Sequence, residues 1–584
     1  MSVERQHISL DRLRPFGRDF FGSDDSISHI GDGEIGGKAA GLVIARDMLE
    51  RHADRLSSPD IALTVPRLVV VPTGIFDAFI ERNQLQEKAL SGEADDRIAL
   101  EFQRAELPPE IVGDLRGLVS GIRTPLAVRS SSFLEDALYE PFAGVYATKM
   151  IPNNQNDADT RFRRLVEAIK FVYASTWFRN ARAYREATGR AAGEEKMAVI
   201  IQEVVGERYD KRFYPPISGV ARSYNFYAMG RARPDEGVVD LALGLGKTIV
   251  DGGIVWTYSP AYPKLAPPVG SPRDLLKLTQ NRFWAINMGP APPHDPIAEA
   301  EYLVDCPLAD ADYDDTLKFT ASTYLPENDR IVPGVGRPGA RVLNFSRILV
   351  GNEIPLNRLI KTLLELGGET VGSDVEIEFA LTLDRKSGVP AHFGFLQMRP
   401  MVVSSEKIDL PPEALSDERA IVASERVLGN GSIDTISDIV YVDPSNFEAK
   451  HTPLIARQLD SLNRELLKDK RPYLLIGFGR WGSSDPWLGT PVEWSQVSGA
   501  KAIVEATLPE MNIELSQGSH FFHNLSSFQV CYFSVHHAGA HRIDWDWLKR
   551  QHIVHETGLI THVRTAEPLA IRVDGRTGRG VILR

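Results

Sequence analysis

Two short stretches between residues 375 and 401 combine residue types that can bind a metal ion and a phosphate. VEIEFALTL at 375–383 and HFGFLQMRPM at 392–401 both alternate as β-strands do, and residues 384–388 between them are typical of a turn. The two strands are therefore predicted to pair as a hairpin. Alternation places two side chains of each strand on one face: Glu376 and Glu378 in the first, Gln397 and Arg399 in the second. These groups can hold a metal ion against a polyphosphate; alternatively, they form a solvated strand face that serves solubility.

Composition narrows the class of protein. At 584 residues the chain is too long for one hydrophobic core, and several domains are expected. The formal net charge of −12 argues against a nucleic-acid or anionic-membrane partner, because a phosphate backbone is bound mainly by excess Lys and Arg. Cys306 and Cys531 are too few for a disulfide framework. The first residues lack the apolar core of a signal peptide, and no stretch approaches about 18 uninterrupted apolar residues, so we expect a cytoplasmic protein.

The periodicity of apolar residues predicts the elements that position these groups. A glycine-rich loop should turn into a helix that carries Leu42 and Met48. One long amphipathic helix is predicted from Asp159 to about Thr188, and 197–206 is predicted to be a strand of a covered sheet. A second helix should begin near Pro355 and end at Gly367 and Gly368.

The glycine-rich loop, GDGEIGGKAAGL at 31–42, fits neither common nucleotide-binding motif. It contains the pattern GxGxxG, but no clear strand precedes it as a Rossmann fold requires. A Walker A motif fails because Asp32 occupies the place of its first glycine and Ala39 follows the lysine. What remains is physical: glycines let backbone N–H groups approach an anion, and Lys38 adds a charge at a helix start. The alternative is a glycine-rich turn with a surface lysine.

A second candidate lies in LAVRSSS, where Arg129 ends an apolar strand. Three serines follow it, and then Glu135 and Asp136. An arginine at this position can fork two phosphate oxygens. Alternatively, it pairs with Glu135 or Asp136 and holds the loop.

The order of many short motifs resembles a known family. IGGKAAGL, PTGIFDAF, LAVRSSSFLED with PFAGVYAT, VIIQEVVG, ISGVARS, LALGLGKTIVDGG, and VEIEFA with FLQMRP are similar to the N-terminal nucleotide-binding domain of phosphoenolpyruvate synthase and pyruvate phosphate dikinase. Glucan water dikinases and rifampicin phosphotransferases share this domain. The resemblance covers about 30–405 and implies an ATP-grasp fold that binds ATP and Mg²⁺.

The resemblance also implies roles at the matching positions. Lys38 and Arg129 would contact the triphosphate, and Gln202 and Glu203 fall where the family's hinge residues meet adenine. The family's E…QxR set, which binds magnesium and phosphates, is matched in this sequence by Glu378, Gln397 and Arg399. Glu376 stands where the family usually has Asp, which gives the second metal-binding carboxylate a longer reach.

Two departures from the family limit what the resemblance implies. Those enzymes pass a phosphoryl group to a histidine on a swivelling domain, and many carry a TIM barrel with the pyruvate site; neither is evident here. The roughly 180 residues after 405 are too few for a swivelling domain plus a barrel of about 250 residues. Complete phosphoenolpyruvate synthesis by this chain alone is not expected. ISGVARSYNF also departs from the family's usual continuation.

These observations predict an α/β (α+β) chain with an ATP-grasp module and a smaller C-terminal domain of α/β or mostly β structure. The expected parts are a leader at 1–29, the N-terminal part of the ATP-grasp module at 30–260, an insertion or long connection at 261–340, the C-terminal part of the module with the hairpin at 341–405, a linker at 406–440, and a C-terminal domain of unknown role at 441–584.

The C-terminal region concentrates histidine. Eight of the chain's 14 histidines lie beyond residue 519. GFGRWGSSDPWLG and SQGSHFFHN suggest an anion or substrate site, with Arg480, Asp485 and His520 as candidates and His520 as phosphoryl acceptor or general base. A metal site and plain aromatic and histidine packing are the alternatives.

The favoured hypothesis is an ATP- and Mg²⁺-dependent phosphotransferase in which Lys38, Arg129 and Arg399 stabilise the transferring phosphoryl group and Glu376 and Glu378 hold the metal. The acceptor is left open between a C-terminal histidine, a small molecule and another protein. A homo-oligomer and a partner chain with a phosphohistidine domain also stay open. The alternatives are an ATP-binding regulatory or sensor protein without turnover, and an ATP-grasp ligase.

Overall fold

A computed structural model of the chain divides it into two compact units. The first comprises Met1–Ser223, Glu236–Ile249 and Ile254–Met401, and the second comprises Tyr224–Asp235, Val250–Gly253 and Val402–Arg584. The structure describes residues 8–133, 135, 145–187, 195–225, 231–251, 253–265, 272–276, 279–383, 390–401, 408–483, 487–511 and 530–584.

The first unit mixes strands and helices. Its strands are β1 (Arg14–Pro15), β2 (Ile27–His29), β3 (Ile61–Thr64), β4 (Leu68–Val71), β5 (Leu126–Ser132), β6 (Thr148–Ile151), β7 (Met197–Glu203), β8 (Glu207–Tyr209), β9 (Arg212–Tyr214), β10 (Ile217–Arg222), β11 (Val238–Ala242), β12 (Trp256–Tyr258), β13 (Arg282–Asn287), β14 (Leu303–Pro307), β15 (Ala321–Leu325), β16 (Arg330–Pro333), β17 (Ala340–Leu343), β18 (Val375–Thr382) and β19 (Ala391–Pro400).

Its α-helices are α1 (Gly36–Arg51), α2 (Ala53–Leu56), α3 (Thr73–Arg82), α4 (Gln86–Leu90), α5 (Asp95–Arg104), α6 (Val112–Gly121), α7 (Ala158–Ser175), α8 (Arg179–Ala187), α9 (Lys247–Val250), α10 (Pro272–Leu275), α11 (Leu308–Tyr313), α12 (Leu317–Thr320), α13 (Ser346–Leu349) and α14 (Leu356–Val371). Short 3-10 turns lie at Leu10–Arg12, Arg18–Gly22, Pro109–Ile111 and Pro234–Glu236.

The first sheet has the strand order β1-β2-β4-β7-β5-β6. β7 lies between β4 and β5 and is antiparallel to both. Its apolar residues are buried on both faces, which confirms the prediction of a covered strand. Because β5 is its neighbour, Arg129 in the middle of β5 lies close to Gln202 near the end of β7.

The second sheet has the order β12-β11-β10-β18-β19-β3 and contains the predicted hairpin. β18 and β19 are antiparallel, with Glu376 opposite Arg399 and Glu378 opposite Gln397. The pairing predicted from alternation is therefore confirmed, and the strand ends agree to within one residue. The predicted turn at 384–388 lies outside the described residues.

α1 and α14 pack on the apolar face of this second sheet. α1 begins in the glycine-rich loop, as predicted. α14 continues through Gly367 to Val371, and its C-cap residue Gly372 has φ +74°, so the predicted end at Gly367 and Gly368 was wrong. A Cβ on Gly367 would lie 3.2 Å from Met398 Sδ, so this glycine lets the helix approach the sheet instead of ending it.

The long helix predicted from Asp159 to about Thr188 is two helices. α7 ends at Ser175 and α8 begins at Arg179. Between them the backbone N–H groups of residues 176–178 bond to carbonyls three residues earlier, which tightens the turn. The N–H of Arg179 then donates to the carboxylate of Asp95, which starts the second helix.

The range predicted as an insertion or connection, 261–340, has regular structure of its own. β13 and β14 join β8 and β9 in the order β14-β13-β9-β8, and a three-stranded sheet has the order β16-β15-β17. The Nζ of Lys149 on β6 lies 2.8 Å from the carboxylate of Glu301, and both side chains are buried. This ion pair fastens the segment before β14 to the first sheet.

The second unit contains one large mixed sheet. Its strands are β20 (Ala420–Ser424), β21 (Val427–Leu428), β22 (Gly431–Val442), β23 (Tyr473–Phe478), β24 (Arg480–Trp481), β25 (Gly489–Thr490), β26 (Ala500–Ala506), β27 (Cys531–Val535), β28 (His552–Glu556), β29 (Ile560–Asp574) and β30 (Arg579–Leu583); its α-helices are α15 (Thr452–Lys468) and α16 (Trp545–Leu548).

Four strands of this sheet, β22, β23, β26 and β27, are mutually parallel neighbours. α15 connects β22 to β23, as parallel pairing requires. The range predicted as a linker, 406–440, contains β20, β21 and most of β22, so the sheet of the second unit begins within it. The α/β class predicted for the chain is confirmed.

In the part of the chain that the structure describes, each helix is too short or too polar to cross a lipid bilayer.

Candidate functional site

Arg129 lies in the middle of β5, and not at the end of the strand as predicted, and it joins the first sheet to the hairpin of the second. One terminal nitrogen donates to Gln202 Oε1 at 3.1 Å and to the carbonyl of Leu396 at 2.8 Å. The other donates to Gln397 Oε1 at 2.6 Å and lies 3.6 Å from the carboxylate of Glu378. Four groups from β7, β18 and β19 thus surround one guanidinium of β5.

A β-bulge explains why the carbonyl of Leu396 is available to Arg129. Opposite residues pair as Glu378 with Gln397 and then Phe379 with Phe395, which leaves Leu396 as the extra residue of β19. A bulge turns the extra residue out of the ladder. Its carbonyl can then accept from a side chain on another sheet.

A second cluster centres on Glu376, which is 4% exposed. Arg399 donates to one carboxylate oxygen, and Arg222 Nε donates to the other at 2.6 Å. Arg222 also donates to Asp240 at 2.8 Å, and Thr257 donates to the same carboxylate at 2.6 Å. Burial alone would lower the pKa of Arg222, but Glu376 and Asp240 raise it above its ordinary value. The guanidinium is therefore charged.

Sequence reasoning missed Arg222. It ends β10 in ISGVARS, a segment named only for its resemblance to the family and for the departure that follows it. The signal resembled the one used for Arg129, an arginine in a strand whose other residues are buried. What the sequence did not show is that β10 pairs with β18, which places Arg222 opposite Glu376.

Lys38 lies in the first turn of α1 and is buried. Its Nζ donates to Glu135 Oε1 at 2.6 Å and to Ser130 Oγ at 3.1 Å. Glu135 also accepts from the backbone N–H of Ser132 at 3.0 Å. The alternative of a surface lysine is excluded. Glu135 pairs with Lys38 and not with Arg129, and Asp136 lies outside the described residues.

Two glycines permit this contact. Gly36 has φ +74°, and a Cβ there would lie 1.8 Å from the carbonyl oxygen of Ser131. A Cβ on Gly37 would lie 1.7 Å from the carbonyl oxygen of Glu135. The glycines therefore let the start of α1 approach the end of β5 and the residues after it, which delivers Lys38 to Glu135.

Gln202 and Glu203 end β7. Gln202 is buried, and among the described residues its Nε2 has no hydrogen-bond partner. Glu203 accepts from Thr124 Oγ1 at 3.2 Å, and burial raises the pKa of its carboxyl. An unmet buried amide donor beside Arg129 is a place where a ligand acceptor would be stabilised.

The two predicted metal ligands have different surroundings. Both oxygens of Glu376 accept from guanidinium groups, whereas Glu378 is 20% exposed and its nearest cation is Arg129. Carboxylate and amide oxygens suit Mg²⁺. Glu378 and Gln397 are thus the pair whose setting fits that ion. Within the described ranges, no group of three or more His, Cys, Asp and Glu residues is placed to hold a metal by itself.

The candidates of the C-terminal region are only partly described. Arg480 lies on β24 in the second unit, and Asp485 and His520 lie outside the described residues. Of the described histidines, His562 is buried and bonds to Asp438 at 2.8 Å, and His537 Nδ1 lies 3.0 Å from Thr507 Oγ1. These contacts fit the packing alternative for those two side chains.

The described site residues form one chemical pattern in the first unit. Arginines and a lysine meet carboxylates and amides on β5, β7, β10, β18 and β19 and at the start of α1. Guanidinium groups bind phosphate oxygens in a bidentate manner, and a lysine adds a compact charge. The pattern suits a ligand with several phosphate groups.

Comparison with known proteins points to the same class of ligand. Residues 32–267 match a family model described as pyruvate phosphate dikinase, AMP/ATP-binding domain. The phosphoenolpyruvate synthase of Aeropyrum pernix is 28% identical over 235 residues, which is 38% of this chain and 26% of that protein. The chain therefore spans about a quarter of the length of this relative.

The match ends before the hairpin, so the roles of Glu376, Glu378, Gln397 and Arg399 stay predictions. The match includes Lys38, Arg129, Gln202 and Glu203, although no comparison tests their roles. For residues 32–267, the resemblance predicted from the order of short motifs is confirmed: this part of the chain is similar to the AMP/ATP-binding domain of pyruvate phosphate dikinase.

Proposed function

We propose that this chain is an ATP-dependent phosphotransferase, a kinase in the broad sense, whose nucleotide site is the network around Arg129 and Glu376. One observation carries the proposal: Arg129 of the first sheet bonds to Gln397 and to the carbonyl of Leu396 in the hairpin of the second. This contact occurs in a chain whose residues 32–267 are similar to an AMP/ATP-binding domain. Two sheets that close on one nucleotide are the arrangement of an ATP-grasp module.

In this proposal the phosphates of ATP lie against the cations of the site. Arg129 and Arg399 present planar donors to phosphate oxygens, and Lys38 adds a point charge at the start of α1. Gln202 and Glu203 meet the adenine end, where the buried Nε2 of Gln202 would gain an acceptor. Catalysis then comes from positioning and from stabilising charge on the transferring group.

Mg²⁺ is proposed as the accompanying ion, with Glu378 and Gln397 as the residues that would hold it. When bound, it would neutralise charge that develops on the phosphate oxygens. The chain's own contribution is to keep the Glu378 carboxylate and the Arg129 guanidinium 3.6 Å apart, so that phosphate and ion meet at one place.

The acceptor of the phosphoryl group is proposed only by class: a histidine of the second unit, a small molecule or another protein. Because the chain spans about a quarter of its relative, complete phosphoenolpyruvate synthesis is not proposed for it alone. A cytoplasmic location and either a homo-oligomer or a partner chain with a phosphohistidine domain belong to the same proposal.

Incubation of the purified chain with Mg·ATP, followed by separation of the nucleotides, tests the proposal. AMP with phosphate, or labelled protein, supports transfer of the dikinase type. ADP alone indicates a simple kinase, an ATPase or a ligase half-reaction. Tight binding without turnover favours the sensor, and absence of ATP binding by the wild-type chain would overturn the site itself. When arginines of the site are replaced by alanine, Arg564→Ala in the second unit serves as the matched control.

A further inference from the structure

Three charged residues lie in one row across three adjacent strands of the second sheet. The strand register places Arg222 of β10 opposite Glu376 of β18, and Glu376 opposite Arg399 of β19. Each arginine bonds to a different oxygen of the carboxylate. The row therefore consists of a carboxylate held between two guanidinium groups.

The row is almost closed to solvent. Glu376 is 4% exposed, Arg399 5% and Arg222 13%. Arg222 is fixed a second time by Asp240, which is itself held by Thr257. A guanidinium that bonds to carboxylates through Nε and one terminal nitrogen has little rotational freedom left. The orientation of Arg222 is thus set before any ligand binds.

A carboxylate in this setting is a poor ligand for a cation. Both oxygens of Glu376 already accept from guanidinium groups, so a divalent ion placed beside it would lie at short range from two arginines. Binding an ion there would require Glu376 to give up one of these buried hydrogen bonds, which is costly.

Glu378, two residues along the same strand, differs from Glu376 in its exposure to solvent and in its contacts with arginine. Its carboxylate is 20% exposed, and its nearest guanidinium, that of Arg129, is 3.6 Å away, beyond normal hydrogen-bond distance. Its cross-strand neighbour is Gln397, whose neutral amide oxygen accepts from Arg129 at 2.6 Å. An ion can therefore approach the Glu378 carboxylate itself without displacing a hydrogen bond from an arginine to that carboxylate.

We propose that Glu376 is a positioning residue that holds Arg222 and Arg399 for the phosphates of the nucleotide, and that Glu378 is the carboxylate that holds the metal ion. Arg222 thereby becomes a further phosphate-positioning residue of the site. The inference rests on the proposed ATP site. It divides between two neighbouring glutamates the metal-binding role that was predicted for both.

The test measures metal and nucleotide binding separately, without turnover. Mn²⁺ binding is followed by electron paramagnetic resonance in the presence of a non-hydrolysable ATP analogue, and analogue binding is followed by calorimetry in excess chelator. Glu378→Gln should weaken Mn²⁺ binding at least tenfold and change chelator-treated analogue binding less than threefold. Glu376→Gln should weaken analogue binding in chelator at least tenfold and change Mn²⁺ binding less than threefold. Arg222→Met should have the same two effects.

Several outcomes would overturn the division of roles. One is equal loss of Mn²⁺ binding in the two glutamate variants, and another is Mn²⁺ binding by Glu378→Gln that matches the wild type. If Glu376→Gln does not fold, Arg222→Met alone decides the phosphate arm, and Arg222→Lys, which keeps the charge, should recover part of the lost affinity. Glu378→Gln decides the metal arm in either case. A wild-type chain that binds no analogue at all contradicts the proposed function instead.

Arg564→Met is the matched control for Arg222→Met. Arg564 also pairs through Nε with a buried carboxylate, but it lies in the second unit. Its removal should change neither measurement by more than twofold. If it does, the effect of Arg222→Met is general to the loss of an arginine and does not support the proposal.

Discussion

The two units each contain a buried carboxylate that accepts hydrogen bonds from two arginines, and the two pairs of arginines differ in their exposure to solvent. In the first unit, Glu376 accepts from Arg222 and Arg399, which are 13% and 5% exposed. In the second, Asp438 accepts from Arg471 and Arg564, which are 35% and 39% exposed.

The two clusters differ in the environment of their guanidinium groups and not in the carboxylate. Asp438 also accepts from His562 at 2.8 Å, so it ties β22 to β29 and to the start of β23. Its arginines keep much of their hydration, as structural ion pairs do. Those of Glu376 have lost theirs and lie beside Gln397 and Arg129. Desolvated cations grouped in this way are expected at sites that bind anions.

Removing the carboxylate of the second unit should have the largest effect on stability. In Asp438→Ala, two arginines and His562 lose their shared partner, and we expect the free energy of unfolding to fall by about 3 kcal/mol. Urea titration followed by circular dichroism measures it. Asp434→Ala, which breaks an exposed pair with Arg572, should cost less than about 0.5 kcal/mol. Equal losses in both variants would show that Asp438 stabilises the fold no more than an exposed ion pair does.

The same carboxylate should make stability depend on pH in the acid range. Burial alone would raise the pKa of Asp438, but hydrogen bonds from His562, Arg471 and Arg564 lower it to about 2. A depressed folded-state pKa stabilises the protein above the ordinary pKa of an aspartate, and this contribution of about 2 kcal/mol is lost as the pH falls from about 4 to about 2. The difference in unfolding free energy between the wild type and Asp438→Asn should shrink over that interval. A constant difference would contradict the assignment.

Removing cations from the first unit should affect the ligand. We expect Lys38→Ala and Arg399→Ala each to lower ATP affinity or turnover at least tenfold, which corresponds to about 1.4 kcal/mol, because each removes a charge held against the phosphates. Calorimetry and nucleotide separation measure the two quantities. If both variants keep wild-type affinity and rate, the pocket has been assigned to the wrong residues.

The smallest effect should come from an arginine of the second unit. Arg564→Met leaves Asp438 with His562 and Arg471, and because Arg564 is 39% exposed we expect a loss of less than about 1 kcal/mol in unfolding free energy. ATP affinity should stay within twofold of the wild type. A larger loss of affinity would remove the distinction drawn here between the two clusters.

Local patterns predicted the parts of the site that are close in sequence. The pairing of the two hairpin strands followed from a period of two and a turn between them, whereas the register that places Glu376 opposite Arg399 was not predicted. The bond from Arg222 to Glu376 joins residues 154 positions apart, and no local pattern encodes which strands become neighbours. The contact from Arg129 to the Leu396 carbonyl depends on a bulge that alternation does not reveal.

Helix ends and the strand order of the second unit were harder to predict from sequence, for related reasons. Taken alone, Gly367 indicates a helix end, but in the fold it lies within the helix and close to Met398. The break after Ser175 depends on Asp95, which comes from another helix. The parallel strands of the second unit are short apolar runs, and their covered faces show no alternation from which order or direction could be inferred.

The hydrogen bond from Arg129 to the main chain of β19 has a consequence for variants of the hairpin. A hydrogen bond to a carbonyl follows the path of the backbone, whatever side chain is present. A substitution of Leu396 that keeps the bulge therefore leaves this bond between the two sheets in place, whereas removal of the bulge would withdraw the carbonyl from the guanidinium.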